Sequence, residues 1–130
     1  MGYLVDSNVL IDYMSERFAP GQLLRLDSIF DQELNLSVIS RIEIFGFNAS
    51  IDEAQKMQLF FQMAQIIPLT EEIVQKTITL RKTTRLKIPD AIIAATAFVH
   101  DHTLLSRNAS DFGKVPFLKI INPHDWPTNA

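Results

Sequence analysis

The sequence predicts an α/β fold: one domain over residues 1–130, with a central, mostly parallel sheet of about five short strands flanked by helices. Three observations carry this. Short apolar runs alternate with stretches of helical spacing along the whole chain. Ala91 to Val99 is apolar on most sides, as only a buried helix is. And 130 residues, 47% hydrophobic and 21% charged, suit one globular core and leave no room for a second of ordinary size.

The elements follow in order. Tyr3-Leu4-Val5 reads as a buried strand that stops at the turn and cap cluster Asp6-Ser7-Asn8. Val9, Leu10, Tyr13 and Met14 then keep helical spacing. Pro20-Gly21 is expected to break the chain before an amphipathic stretch from Leu23 to Phe30. Leu34 to Ser37 reads as the second strand. Ser40 and Glu43 have the spacing of a capping box ahead of Ile44, Phe45 and Phe47. Ile51 to Ala64 is helical, with Met57, Phe60, Phe61 and Ala64 on one face. Ile66 to Leu69 is a third strand, and Thr70-Glu71-Glu72 opens a helix to about Thr84. Pro89 sits where a first helical turn tolerates it, ahead of the apolar helix. Thr103 to Ser106 and Leu118 to Ile121 complete the strands, and a Pro-rich tail surrounds Trp126.

Composition excludes several classes. The chain has no Cys, so a disulfide or thiolate site is impossible and any metal must be held by oxygen or imidazole. The start, Met1 to Asp6, lacks the basic region of a signal peptide, and no apolar run is long enough to span a bilayer. A cytoplasmic protein without membrane contact is expected. A net charge of −3 argues against a general nucleic-acid coat protein. It does not argue against a nuclease, because an acidic cluster that binds cations presents positive charge to phosphate once occupied.

Four acids stand out by position. In parallel sheets, ligands bind off the carboxyl ends of the strands. Asp6 follows the first strand and Asp111 follows the fourth, in Arg107-Asn108-Ala109-Ser110-Asp111-Phe112. Asp90 opens the buried helix, and Glu43 interrupts the apolar run Ile42 to Phe45. Each has a plain structural alternative: Asp6 as a helix cap, Glu43 as half of a capping box, Asp90 as a first-turn charge, Asp111 as a turn former. Their joint placement suggests a carboxylate site for Mg²⁺ or Mn²⁺, which favour hard oxygen ligands. Two such ions can activate water and stabilise an in-line phosphoryl displacement.

Four segments, Leu4 to Asp12, Ile39 to Glu43, Pro89 to Ala97 and Leu105 to Phe112, resemble PIN-domain proteins in the family's order. The nearest group is the VapC toxins of bacterial toxin–antitoxin pairs. The resemblance implies a PIN-like fold and an endoribonuclease with a Mg²⁺ or Mn²⁺ site. It places Asp6, Glu43, Asp90 and Asp111 on the acidic positions. Ser7, Asn8, Ser106 and Asn108 fall on polar neighbours that orient carboxylates and water. The family usually has Thr where this chain has Ser7 and Ser106; both keep a hydroxyl. The resemblance also implies a homodimer, an RNA substrate, and a cognate antitoxin whose other end binds DNA. The alternatives are a phosphohydrolase or DNA nuclease using the same acids, and a non-catalytic PIN-like binding module.

Other residues invite a role. His100 and His102 have His-x-His spacing, but a helix end accounts for them. Asp12 is expected to face away as a surface residue. Arg81, Lys82, Arg85 and Lys87 form a basic run into Asp90, either a solvated helix end or a grip on RNA phosphates. Phe45, Phe47, Phe60 and Phe61 are expected in the core or a dimer interface.

Overall fold

The computed structural model describes residues 2–46 and 50–129. Phe47 lies outside them. The elements alternate as strand β1 (Tyr3–Val5), helices α1 (Ser7–Met14) and α2 (Pro20–Gln32), β2 (Asn35–Ser37), α3 (Val38–Phe45), α4 (Ile51–Met63), β3 (Gln65–Ile67), α5 (Glu71–Thr83), α6 (Ile88–Val99), β4 (Thr103–Leu105), α7 (Ala109–Phe112) and β5 (Ile120–Ile121). A short 3₁₀ turn, Pro123–Asp125, follows.

All strand pairings are parallel, and the order is β3-β2-β1-β4-β5. The chain therefore builds outward from β1 on one side, then crosses back to add β4 on the other. The gap between the carboxyl ends of β1 and β4 is the topological switch point, where open parallel sheets hold their ligands.

The strands are apolar without alternation because helices cover both faces. Leu4 and Leu104 point into one core with Ile73, Leu80 and the buried face of α6. Val5 and Leu105, one residue on, point into the other with Val9, Leu10, Leu26, Leu36 and Ile44. Every residue from Ala91 to Ala97 is buried, so α6 is the all-round apolar helix that its sequence predicts.

Local expectations fail in four places. Pro20-Gly21 does not break the chain: Pro20 is the first residue of α2, where its missing N–H costs nothing. Ser40 and Glu43 form no capping box. Ser37 caps α3 instead, its hydroxyl accepting from Ile39 N, so Ser40 lies fully buried inside the helix. The segment around Asp111 is not only a turn but the single-turn helix α7. The third strand begins at Gln65 and ends before Pro68, which has no N–H for a ladder.

The C-terminal segment is strapped to the start of α2. Gln22 donates from Nε2 to the carbonyls of His124 (2.9 Å) and Trp126 (3.0 Å), and Gly21 N donates to Thr128 O at 2.9 Å. Arg25 lies over the Trp126 ring, 4.6 Å from its centre. A Cβ at Gly21 would stand 2.2 Å from Asn129 O, so only glycine lets the tail approach this closely. Gly21→Ala should therefore displace the tail and destabilise the fold by roughly 1–3 kcal/mol. Trp126 is the sole tryptophan, so its fluorescence in urea titrations reports both effects. A wild-type spectrum and midpoint would contradict this account.

Candidate metal site at the sheet switch point

Asp6 sits at the carboxyl end of β1, 5% exposed, and is at once the N-cap of α1. Its carboxylate is held on both sides. Oδ1 accepts from Ser7 N at 2.8 Å, and Oδ2 accepts from the Ser106 hydroxyl at 2.7 Å and from Asn8 Nδ2 at 3.3 Å. Asp6 thus caps α1, and the same carboxylate also reaches the end of β4 through Ser106.

The neighbours are used in full. The Ser106 hydroxyl, besides donating to Asp6, accepts from Asn108 N at 3.0 Å and from Asn8 Nδ2 at 3.4 Å. Asn8 Oδ1 accepts from Arg107 N at 3.0 Å. Ser7 donates its hydroxyl to Glu43 Oε1 at 3.0 Å, tying the exposed acid on α3 to the start of α1. Asn8, Ser7 and Ser106 therefore orient carboxylates, while Asn108 contributes its backbone N–H here.

Asp90 lies in the first turn of α6 and Asp111 in the first turn of α7. They share a cleft of about 320 Å³ with Asn108, Arg85, Lys87 and Lys114. Among the described residues no three acids or histidines are close enough to surround one ion as they stand. The acids form two pairs: Asp6 with Glu43, bridged by Ser7, and Asp90 with Asp111 across the cleft.

The pairs feel each other electrostatically. Burial pushes the Asp6 carboxyl up to about 6; the Ser106 and Ser7 hydrogen bonds oppose this, and the charges of Glu43 and Asp90 add to it. Asp90 is also raised, first by burial and then by Asp111, with Lys87 pulling the other way.

The basic run divides. Arg85 and Lys87 line the acidic cleft, joined by Lys114, 4.0 Å from Asp111. Arg81 and Lys82 line a separate apolar groove, and Arg81 donates to Leu86 O at 2.6 Å. His100 and His102 stack at the amino end of β4, the sheet edge opposite the acids. Burial, then His100, pulls His102 below its usual range. Phe60 packs edge-on against Tyr13 beside the core, and Phe45 stacks on Phe61 at 4.5 Å.

Asp12 is a correction. It is 1% exposed and faces inward, its carboxylate bound by Arg107 Nη1 at 2.9 and 3.0 Å and by His124 Nε2 at 2.9 Å. Arg107, Lys114 and His124 escaped the sequence reading as well. The one signal for Asp12 was its spacing, one helical turn after Asn8.

Architecture and site define a parallel α/β domain with two pairs of carboxylates near the switch point. Residues 3–118 match the PIN domain, and the chain belongs to the PIN-domain family. No curated protein matches it by sequence. Among solved structures it is similar to a toxin–antitoxin complex from Klebsiella pneumoniae, at 27% identity and a TM-score of 0.75 over 94% of this chain and 98% of that one. VapBC2 from Rickettsia felis, bound to a promoter DNA fragment, gives a TM-score of 0.79 at 18% identity, covering 94% and 98%. FitAcB from Neisseria gonorrhoeae gives 0.77 at 21%, covering 95% and 99%. These last two likenesses are of fold.

The raised Asp6 carboxyl fixes the sign of a pH effect. Its folded value exceeds the ordinary 3.8, so its stabilising contribution is complete below that value and lost as pH rises through about 6. The difference corresponds to about 3 kcal/mol. In chelator, the stability of Asp6→Asn relative to the unmodified protein should therefore climb between about pH 4 and pH 7. Denaturant titrations across that range measure it; a pH-independent difference would contradict the burial account.

Proposed function

We propose that this chain is a metal-dependent endoribonuclease, the toxin of a toxin–antitoxin pair. The observation that carries the proposal is the placement of two acid pairs near the switch point: Asp6 and Glu43, oriented by hydroxyl and amide partners, and Asp90 and Asp111, in a cleft lined by cations. Membership of a family of nucleases supports the activity. The neighbouring toxin–antitoxin complexes support the biological role.

The donor set suits Mg²⁺ or Mn²⁺. It is oxygen only; burial raises Asp6 and Asp90 first, neighbouring carboxylates add to it, and a cation would relieve that negative excess. Asp6, Glu43, Asp90 and Asp111 would hold it. When bound, such an ion supplies an activated water and offsets charge on the phosphodiester. Ser106 and Ser7 keep the Asp6 and Glu43 carboxylates aimed without carrying charge of their own. Arg85, Lys87 and Lys114 attract the backbone of a single strand to a site whose acids would otherwise repel it.

Partners follow from surface chemistry. Ile42 is 63% exposed on α3, and with Phe45 and Phe61 it lines an open apolar groove between α3 and α4. Exposed apolar area of this kind suits a protein partner, here the antitoxin. The groove along α5 and α6, with Leu69, Ile78 and Ile88, suits a second copy in a homodimer. Among the described residues no helix is long and apolar enough to cross a membrane. We place the protein in the cytoplasm on the toxin reading.

Purified protein should cleave single-stranded RNA with Mg²⁺ or Mn²⁺, stop with EDTA, and leave DNA of the same sequence intact. Equal cleavage of both polymers would favour a general phosphodiesterase, and undiminished cleavage in EDTA would sink the metal mechanism. Asp90→Asn should abolish cleavage while metal-free stability holds or rises by up to about 1 kcal/mol, since one repelling charge goes and a partly exposed group is screened. Mg²⁺ should raise the melting temperature of the unmodified protein more than that of the variant. If Asp90 is only a helix-start charge, the variant instead loses stability and keeps its activity.

Changing Arg85, Lys87 and Lys114 together to Ala should weaken RNA binding and flatten its salt dependence. Lys82→Ala, on the other groove, should do neither. In cells, expression alone should slow growth, and co-expression of a neighbouring antitoxin should restore it; harmless expression of active protein would count against the toxin role.

A further inference from the structure

We propose that Asp12 is a positioning residue of the acidic site: its buried carboxylate ties Arg107, and with it the Ser106–Asn108 turn that leads into Asp111, to the helix that starts at Asp6. The inference rests on the ribonuclease reading for its consequence, though not for its geometry.

Two straps join α1 to this turn. Asn8 holds the backbone, accepting from Arg107 N at 3.0 Å, and Asp12, one helical turn further, holds the side chain through both carboxylate oxygens. The turn feeds α7, whose first turn carries Asp111, while α1 begins at Asp6. The position of Asp111 relative to Asp6 therefore depends on how firmly the turn is fixed to α1.

A third contact brings in the C-terminal segment. His124 Nε2 lies 2.9 Å from Asp12 Oδ2, and its ring stacks on Phe18 with centres 4.1 Å apart. Arg17, at 3.8 Å, is the remaining charged group facing Asp12. Ser106 N donates to Ile121 O at 3.0 Å, so β5 and the tail buttress the same turn from the opposite side.

Stability alone does not explain the arrangement. A carboxylate that is 1% exposed carries a desolvation penalty, and apolar residues of similar volume hold helices together as well or better. What the ionic cluster adds is a fixed point: one guanidinium nitrogen, Nη1, is shared between both Asp12 oxygens at 2.9 and 3.0 Å, and charge-assisted bonds of this kind are stronger than neutral ones. Direct partners of ligands tune metal affinity; Asp12 acts one remove further out, through Arg107 and the turn that Asn8 also holds.

The test uses Asp12→Asn and Arg107→Gln in the full chain. Both should keep wild-type protection from hydrogen exchange at Leu4 and Leu105 and lose it at the Arg107 and Asn108 amides. Both should weaken Mn²⁺ binding, followed by calorimetry, by about tenfold or more. Cleavage should fall in kcat with the KM for RNA unchanged. Wild-type protection at the two amides, or unaltered Mn²⁺ affinity beside a general loss of stability, would overturn the proposal. Should Asp12→Asn fail to fold, Arg107→Gln decides, because that side chain is 52% exposed and its loss leaves His124 on Asp12. Unmodified protein that neither binds Mn²⁺ nor cleaves RNA would overturn the ribonuclease reading, and the amide exchange would still show whether Asp12 holds the turn.

Discussion

A carboxylate buried at the end of a central strand has to be compensated, and the compensation of Asp6 organises everything near it. Its oxygens draw one donor from the start of α1, one from the end of β4 and one from Asn8. Each donor in turn engages another element: Ser7 reaches α3 through Glu43, and Asn8 reaches the turn before α7 through Arg107. Those neutral donors still leave the acid at about 6, since desolvation and the nearby charges outweigh them. The residual imbalance is negative, and it is concentrated at the switch point.

Much of this was legible in the sequence, for reasons that can be named. The five strands and the buried helix are strong local patterns, and Asp6 directly follows an apolar run, where the topology rule looks for function. Recognisable motifs then added the other acids. What failed was either ambiguous or distant. Ser37 and Ser40 are both competent caps, and the helix starts at the one that immediately ends the strand, which spacing cannot decide. Asp12 reads as a surface residue because its partners lie 95 and 112 positions away, beyond any local pattern. An Asn- and Asp-rich stretch suits both a turn and a helix start, and α7 uses it as both.

The charge balance of the chain also misleads if read as one number. A net charge of −3 hides an acidic centre with a basic lip. Only half of the run from Arg81 to Lys87 joins that lip, because α5 ends at Thr83 and the backbone turns to an extended conformation at Thr84. Residues before the break face one groove, and Arg85 and Lys87 after it face the acids. Where α5 ends thus decides which cations of the run face the acids.

Three of the four acids stand at helix starts: Asp6 caps α1, Asp90 lies in the first turn of α6, and Asp111 in that of α7. The positive end of a helix dipole stabilises a carboxylate there by about 0.3–1 kcal/mol when exposed, and by more when partly buried. This is the same energy that makes each acid look like an ordinary capping residue. Capping and site-building are therefore not rival explanations of these positions. The cap at Asp6 and the helix starts at Asp90 and Asp111 offset part of the cost of placing like charges near one another, and on the ribonuclease reading that negative excess is what a divalent cation would neutralise. Glu43 has no such support, sitting mid-helix and exposed on α3. Among the described residues its one side-chain hydrogen bond is from the Ser7 hydroxyl, which sets its orientation where a helix start cannot.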